Sequence, residues 1–291
     1  MPTTNLRNHH KTAKRLKEFV GLVLLSFLAF FFLVPLLWLF YVSFLPKIDI
    51  FRVPPAILVE FGETVKSFTL ASFASAFGTK WQIGLALFNS VFITVASILL
   101  TILVCSLCAY GFAFMNFRGK NALFLMILAT MMLPTVTMIA PYYQVLGIYG
   151  LRNTRLGLIL PYAASAFSVF LLRQYFVRIP LELFEAAVVD GASRFRIWWQ
   201  IVLPLAKPAI TALSIYQFRA VWNDFLTPMI VLRNENLFTI PIKLQFMDSV
   251  NINIPWDAMM ATGFIGVAVP FIFFLVYQQQ FMEGISGALK G

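Results

Sequence analysis

Charged residues are scarce in this chain. Asp, Glu, Lys and Arg make up 12% of its 291 residues, whereas a soluble domain carries about 25%. Hydrophobic residues make up 60% of the chain, and they form runs long enough for membrane spans of roughly 20 residues. The shortage of charge excludes an ordinary soluble domain and predicts an integral membrane protein.

Residues that commonly carry catalysis or bind metals are also few. The two histidines, His9 and His10, are adjacent in a basic tail, and the chain has no H-E-x-x-H sequence. The two cysteines, Cys105 and Cys108, form a C-x-x-C pair inside the apolar run TILVCSLCAYGFAF. With no histidine nearby, we interpret them as small packing residues in a helix bundle rather than a redox or metal site. The sequence predicts no catalytic residue and no metal site, which disfavours a membrane-embedded enzyme.

A P-loop is missing as well. The motif G-x-x-x-x-G-K-[ST] binds nucleotide phosphates. The pair Gly119-Lys120 is followed by Asn121 and lacks a second glycine at the required spacing. If transport by this chain is driven by ATP, another polypeptide must bind and hydrolyse it.

Six hydrophobic segments are predicted as transmembrane spans, so the expected fold class is an all-α polytopic membrane protein. Residues 1–17 are predicted as a basic cytoplasmic tail, and residues 18–291 as one transmembrane domain. The run after the tail is too long for a signal-peptide core, so we expect a retained first span. Pro134 and Pro141 predict a kink or break in the third span. The predicted spans are about 20–45, 83–115, 121–147, 156–177, 206–231 and 258–281.

The basic residues indicate the orientation. Lys and Arg concentrate on the cytoplasmic side of membrane proteins, and the N-terminal tail is dense in them. This predicts that both termini are cytoplasmic. The net charge of +10 would suit nucleic acid, but the remaining Lys and Arg are dispersed among loops, as topology signals are. No nucleic-acid partner is therefore predicted.

One polar interruption between hydrophobic segments, residues 185–208, stands out on the predicted cytoplasmic side. Pro180 suits the start of a helix, and Glu182 and Glu185 complement the positive end of its dipole. Gly191 predicts a sharp turn, and Ser193 can cap a second, amphipathic helix. A short helix, a turn and an interfacial helix form a typical docking element, whereas the simpler alternative is an amphipathic loop lying on the bilayer.

This interruption resembles the signature loop of ABC importer permeases, E-A-A-x-x-x-G followed by I-x-L-P. Other stretches are similar to the carbohydrate-importing branch, in its smaller, maltose-permease type of subunit, so the resemblance covers roughly residues 20–291. They are N-S-V-F-I-T, M-M-L-P-T-V-T-M-I-A-P-Y-Y, G-L-R-N-T-R-L-G-L-I-L-P-Y, F-L-L-R-Q-Y-F, W-N-D-F-L-T-P and Q-Q-Q-F-M-E-G-I-S-G-A-L-K-G.

The resemblance implies a permease subunit in a bacterial cytoplasmic (inner) membrane, working by alternating access. Its partners would be a second homologous permease subunit, two ATP-binding subunits that hold ATP and Mg, and an extracytoplasmic solute-binding protein that delivers an oligosaccharide. No cofactor is implied in this chain itself. The loop at about 180–205 would form a coupling helix that docks on an ATPase subunit. The residues matched for ATPase coupling are Glu185, Ala186, Ala187, Asp190, Gly191, Ile201, Leu203 and Pro204.

The fifth predicted span carries an unusual set of polar residues. At about 100° per residue they fall within an arc of roughly 160°, and such groups usually face a bundle interior or a water-filled cavity. We interpret this face as a candidate substrate path. Its residues are Tyr216, Gln217, Arg219, Asn223 and Asp224.

Arg219 departs from the family pattern, in which this position is commonly apolar or small. Because a guanidinium binds carboxylate or phosphate through two hydrogen bonds, we expect an acidic oligosaccharide, such as a uronate oligomer, or a sugar phosphate. The alternative is a neutral oligosaccharide, with Arg219 paired to Asp224 or to an acidic residue of another helix.

Two other classes of transporter remain open. A secondary transporter needs coupling carboxylates within its spans, where only Asp224 qualifies, and it would have no use for the E-A-A loop. A channel has no supporting feature in the sequence.

Overall fold

The computed structural model describes residues 3–54, 68–249 and 254–289, with side chains for 17–54, 68–249 and 254–278. In these ranges, every helix longer than one turn is an α-helix, and one of them, α9, contains a π-helical turn. They are α1 Thr3–Ser43, α2 Ala71–Phe77, α3 Ile83–Phe114, α4 Lys120–Ala129, α5 Thr135–Ile148, α6 Leu156–Ala163, α7 Ala166–Phe176, α8 Leu181–Val189, α9 Arg194–Leu205, α10 Lys207–Trp222, α11 Leu226–Val231, α12 Ile240–Ser249 and α13 Trp256–Leu289. The predicted all-α class is confirmed.

Three helices are long and apolar enough to cross a membrane, and up to six spans result if each bent pair of helices counts as one. The predicted break in the third span is confirmed, since α4 with its final turn and α5 meet at 105° just before Pro134. The fourth span is also bent, by 42° between α6 and α7.

The fifth span differs from the prediction of 206–231. Its helix, α10, ends at Trp222, and a break at 223–225 precedes α11. The Asp224 carboxylate accepts a hydrogen bond from the Thr227 amide at 3.2 Å. It therefore starts a new helix rather than continuing the old one. On the other side, α9 leads into α10 at an angle of 79°.

The chain divides into two compact units. The first, residues 1–76 with 255–264, has a small core of Tyr41, Val42, Leu45 and Ile50. In it, the apolar side chains of α1 from Phe19 to Leu37 are mostly exposed, as expected of a surface that faces lipid.

The second unit, residues 77–254 with 265–291, is built around α3, which packs against α6, α7, α10 and α12. Small side chains recur on its buried face at intervals of three or four residues. This spacing permits close helix packing in membranes. Cys105 belongs to this stripe and is fully buried in the core, so its interpretation as a packing residue is confirmed. The stripe comprises Ala86, Ser90, Thr94, Ser97, Thr101, Cys105 and Ala109.

Candidate functional site

The segment Leu181–Leu205, called the coupling element below, begins with α8. This helix starts directly after Pro180 and carries Glu182 in its first turn. Only Ala187 of α8 is buried, while Phe184 is half-buried. Exposed apolar side chains grouped on one short helix mark a surface for a partner. They are Leu181, Leu183, Val188 and Val189, and Glu185 and Ala186 are exposed beside them.

Gly191 ends α8 in the way the sequence predicts. Its φ is +77°, the left-handed region that glycine occupies at low cost. The Gly191 amide donates to the Val188 carbonyl at 3.0 Å, and the Ala192 amide donates to the Ala187 carbonyl at 3.0 Å. This pair of bonds is a Schellman motif, which satisfies the last carbonyls of the helix and reverses the chain.

Ser193 caps α9, as predicted, because its hydroxyl accepts a hydrogen bond from the Arg196 amide at 3.2 Å. The centre of α9, Trp198–Val202, widens into a π-helical turn, in which the Leu203 amide donates to the Trp198 carbonyl. Pro204 follows immediately and has no amide to donate. A π turn relieves the conflict between that proline ring and the preceding turn.

Three aromatic contacts fix the coupling element to the end of α3. Phe184 stacks on Phe114 with ring centroids 5.2 Å apart. The Tyr110 hydroxyl donates to the Arg194 carbonyl at 3.1 Å. The indole of Trp198, which is 1% exposed, donates to the Ser106 hydroxyl at 3.3 Å. Sequence reasoning missed these contacts, because the adjacent Trp198 and Trp199 do not reveal from the sequence which of them is buried.

The structure divides the eight residues assigned to ATPase coupling into two groups. Those that a partner can reach are Glu185, Ala186, Asp190, Gly191 and Pro204, which are exposed. Ala187, Ile201 and Leu203 instead pack against the core that contains Trp198. The second group holds the element in place, so within this chain its role is positional.

The five residues of the polar face predicted for the fifth span also fall into separate groups. Tyr216, Arg219 and Asn223 are exposed and lie within about 60° of one another at about 100° per residue. These three residues are called the polar strip below. Gln217 is 2% exposed and belongs to the buried side, and Asp224 lies beyond the end of α10 in the break that starts α11.

Arg219 has no acidic partner. Among the described residues no carboxylate lies within ion-pairing distance of its guanidinium, and the suggested pairing with Asp224 is not formed. Asp224 accepts instead from the Tyr162 hydroxyl at 2.6 Å. The Asn223 amide group donates to the Arg219 carbonyl at 3.0 Å and closes the end of α10. The positive charge of Arg219 therefore stays open to an external anion.

Asp224 lines a small polar cavity together with Tyr162, Thr94 and Thr239. The hydroxyls of Thr94 and Thr239 are buried and have no hydrogen-bond partner in the described part of the chain. The volume of about 10 Å³ matches roughly one water molecule. This space is too small for a sugar, so a contact between Asp224 and a large solute would have to lie outside the cavity, and the place of Asp224 in the substrate path stays a prediction.

At the opposite end of α3, buried side chains fasten the loop that precedes α12. The fully buried Asn89 donates to the Asn236 carbonyl at 2.8 Å and the Phe238 carbonyl at 3.1 Å. The Arg155 guanidinium donates to the Asn89 side-chain carbonyl at 2.9 Å. In the same loop region, burial lowers the pKa of Lys243, and Glu235 at 3.7 Å opposes this shift. The segment N-S-V-F-I-T therefore has a structural role, since its Asn89 holds the loop before α12 against α3.

Comparison with known proteins identifies the family. A model described as "Binding-protein-dependent transport system inner membrane component" matches residues 102–285. The arabinooligosaccharides transport system permease protein AraQ of Halalkalibacterium halodurans is 32% identical over 267 residues, which cover 91% of this chain and 94% of that protein. The sn-glycerol-3-phosphate transport system permease protein UgpE of Rhizobium meliloti is 32% identical over 289 residues, covering 98% and 96%.

A solved structure shares the fold. A bacterial ABC transporter involved in the import of the acidic polysaccharide alginate contains a chain that superposes with a TM-score of 0.80 at 22% identity, covering 92% of this chain and 97% of that one. The family model spans more than half of the sequence, and the relatives align along nearly all of it. The chain therefore belongs to the family of inner membrane components of binding-protein-dependent transport systems.

Proposed function

We propose that this chain is the permease subunit of an ATP-driven importer for an acidic oligosaccharide. The observation that carries the solute assignment is Arg219, an exposed cation on the polar strip of α10 with no counter-ion among the described side chains. A polar strip facing lipid would be costly. A second, homologous permease chain facing this strip would enclose it in an aqueous path.

The energy source in this proposal is a pair of separate ATPase subunits, which bind ATP and Mg. The exposed apolar side chains and carboxylate of α8 support docking of such a subunit from the cytoplasm. The orientation then places both termini in the cytoplasm. Because α8 and α9 are fastened to α3 by aromatic contacts, a push on α8 is transmitted into the spans, and alternating access follows.

The names of the relatives support an anionic solute only in part. The sn-glycerol-3-phosphate and alginate transporters handle anions, whereas arabinooligosaccharides are neutral. The chemistry of Arg219 favours the anionic class, since one charge-assisted bidentate contact contributes about 1.5–3 kcal/mol. A sugar phosphate offers the same contact and is the second candidate.

Uptake by the whole complex in proteoliposomes tests the proposal. With the matching solute-binding protein present, we expect Arg219→Gln to reduce uptake of an acidic oligosaccharide about tenfold or more and to leave uptake of a neutral one unchanged. Arg178→Gln removes the same charge from an exposed residue just beyond α7 and is the matched control.

The panel of solutes separates the alternatives. Transport of a sugar phosphate, but no uronate oligomer, with the same dependence on Arg219 would reassign the solute within the anionic class. Unchanged uptake of the acidic solute by Arg219→Gln would remove Arg219 as the basis of the assignment, and uptake of a neutral oligosaccharide but no acidic one by the unmodified complex would support the neutral alternative. Uptake that persists with an ATPase-dead partner would favour a secondary transporter.

A further inference from the structure

A cleft lies beside the coupling element, between the start of α4 and the end of α7. Its walls are the turn at 116–122 and the side chain of Arg173. Its volume of about 500 Å³ is in the range of sites for small molecules, roughly 300–1,000 Å³. The cleft is distinct from the polar strip and from the exposed face of α8.

The guanidinium of Arg173 lies at this cleft without an acidic partner among the described residues. Its Nε is buried and has no hydrogen-bond acceptor in the described part of the chain, and no carboxylate there pairs with it. One face of the guanidinium lies 4.4 Å from the centroid of the Phe124 ring. Burying a charge is costly unless an opposite charge and hydrogen bonds compensate for it. The half-buried guanidinium of Arg173 is therefore available to an anion from outside the described chain.

The start of α4 adds further positive potential to the same cleft. Gly119 precedes the helix with a φ of +82° and provides no side-chain cap, and the first turn contains no acidic residue. Helix N-termini with free amides attract phosphate and other anions. The Lys120 ammonium donates to the Met115 carbonyl at 2.9 Å and so stays at the wall of the cleft.

The helices that form the cleft carry no acid to neutralise these charges, since the sequence contains no Asp or Glu between Glu63 and Glu182. Next to the cleft, α4 exposes the apolar side chains of Leu123, Leu125 and Met126. A cationic site bordered by a helix with exposed apolar side chains suits a molecule with an anionic head and a hydrocarbon tail.

We propose that this cleft binds the phosphate of an anionic phospholipid. Arg173 and the first turn of α4 hold the phosphate, and the acyl chains run along the exposed face of α4. The Phe114–Phe184 stack places the turn that follows α3 at the same end of the bundle as α8. The lipid therefore lies in the leaflet next to the coupling element, which is the cytoplasmic leaflet if the proposed function is right.

Native mass spectrometry of the detergent-purified complex tests the site directly. Phosphatidylglycerol, phosphatidylcholine and inorganic phosphate are each added to unmodified protein and to two variants. We expect unmodified protein to retain phosphatidylglycerol over phosphatidylcholine, and Arg173→Gln to lower this retention about fivefold, the effect of roughly one basic residue near a membrane surface. Arg178→Gln, the matched control, retains the lipid.

A second measurement covers the case in which Arg173→Gln folds poorly. Phosphatidylglycerol is expected to raise the Tm of the unmodified complex, and Arg173→Lys, which keeps the charge but loses the two-pronged contact, is expected to retain part of that rise.

Equal retention of both lipids by unmodified protein and by Arg173→Gln would overturn the proposal. So would binding of inorganic phosphate with no selective retention of phosphatidylglycerol, or retention of the lipid by the isolated subunit but not by the complex. Lipid binding and transport are measured separately. A failure of lipid binding therefore leaves the proposed importer function standing, and a failure of transport leaves the proposed lipid site standing.

Discussion

The coupling element and helix α10 follow each other in the chain and share an apolar core, yet their exposed surfaces differ. The coupling element buries apolar side chains, with Trp198 and Ile197 in a dense core, and it exposes a mixed surface around Glu185. Helix α10 buries one amide, Gln217, among apolar side chains, and it exposes Tyr216, Arg219 and Asn223.

This difference reflects two mechanical tasks. A close-packed apolar core transmits a displacement, because its side chains have little freedom to yield. A helix beside a water-filled path can expose polar and charged side chains on the face that meets the water. We infer that the coupling element transmits a displacement to the spans and that the exposed face of α10 contacts solute.

The largest expected effect comes from adjacent tryptophans on opposite faces of the coupling element. Trp198→Ala removes a buried indole and its bond to Ser106, so it should lower the free energy of unfolding by about 3–5 kcal/mol. Trp199 is 59% exposed, so Trp199→Ala should have an effect below about 0.5 kcal/mol. Thermal unfolding of the purified complex compares the two. Equal losses would mean that the coupling element is not held by its core.

Charge reversal on α8 tests the outward face of the same element. Glu185→Lys should weaken binding of the ATPase subunit about tenfold or more, since a lost charge contact becomes a repulsion. Glu182→Lys makes the same change in the first turn and is the control, expected to change binding less. Co-purification of the ATPase subunit at increasing salt measures both. Retained binding by Glu185→Lys would place the docking contact elsewhere.

Substitutions of Gly191 test the turn without touching any contact within this chain. A Cβ at this position meets no atom within 4 Å, so the backbone conformation alone is affected. Gly191→Val should cost about 1–2 kcal/mol and reduce coupled ATPase activity. Gly191→Asn should be milder, because Asn tolerates the left-handed region. If the two variants lose activity equally, the φ of the turn is not the reason.

The smallest effect on stability is expected from the loss of single tyrosine hydroxyls around α10. Tyr162→Phe removes the hydroxyl that donates to Asp224, which should cost about 1 kcal/mol, as is typical of hydrogen bonds between membrane helices. Tyr216→Phe removes an exposed hydroxyl and should leave the Tm unchanged. A loss for Tyr216→Phe in thermal unfolding, with none for Tyr162→Phe, would reverse the assignment of inner and outer faces.

Several local features could be predicted from the sequence. The turn at Gly191, the cap at Ser193 and the break near Pro134 are confirmed, because each depends on the backbone preferences of a few adjacent residues. The fifth span was predicted too long, since its hydrophobicity continues past Trp222 while Asp224 starts a new helix. Contact of Glu185 and its neighbours with an ATPase subunit stays a prediction.

The sequence by itself determined the all-α membrane class, the order of the helices and the motif that resembles an importer permease. These properties arise from composition and from short-range backbone chemistry. Only the tertiary structure decided that Trp198 is buried and Trp199 exposed, that Asp224 bonds to Tyr162 rather than to Arg219, and that Arg173 lies unpaired at a cleft. Such choices depend on which helices meet in space, and the spacing of residues along one helix cannot specify its neighbours.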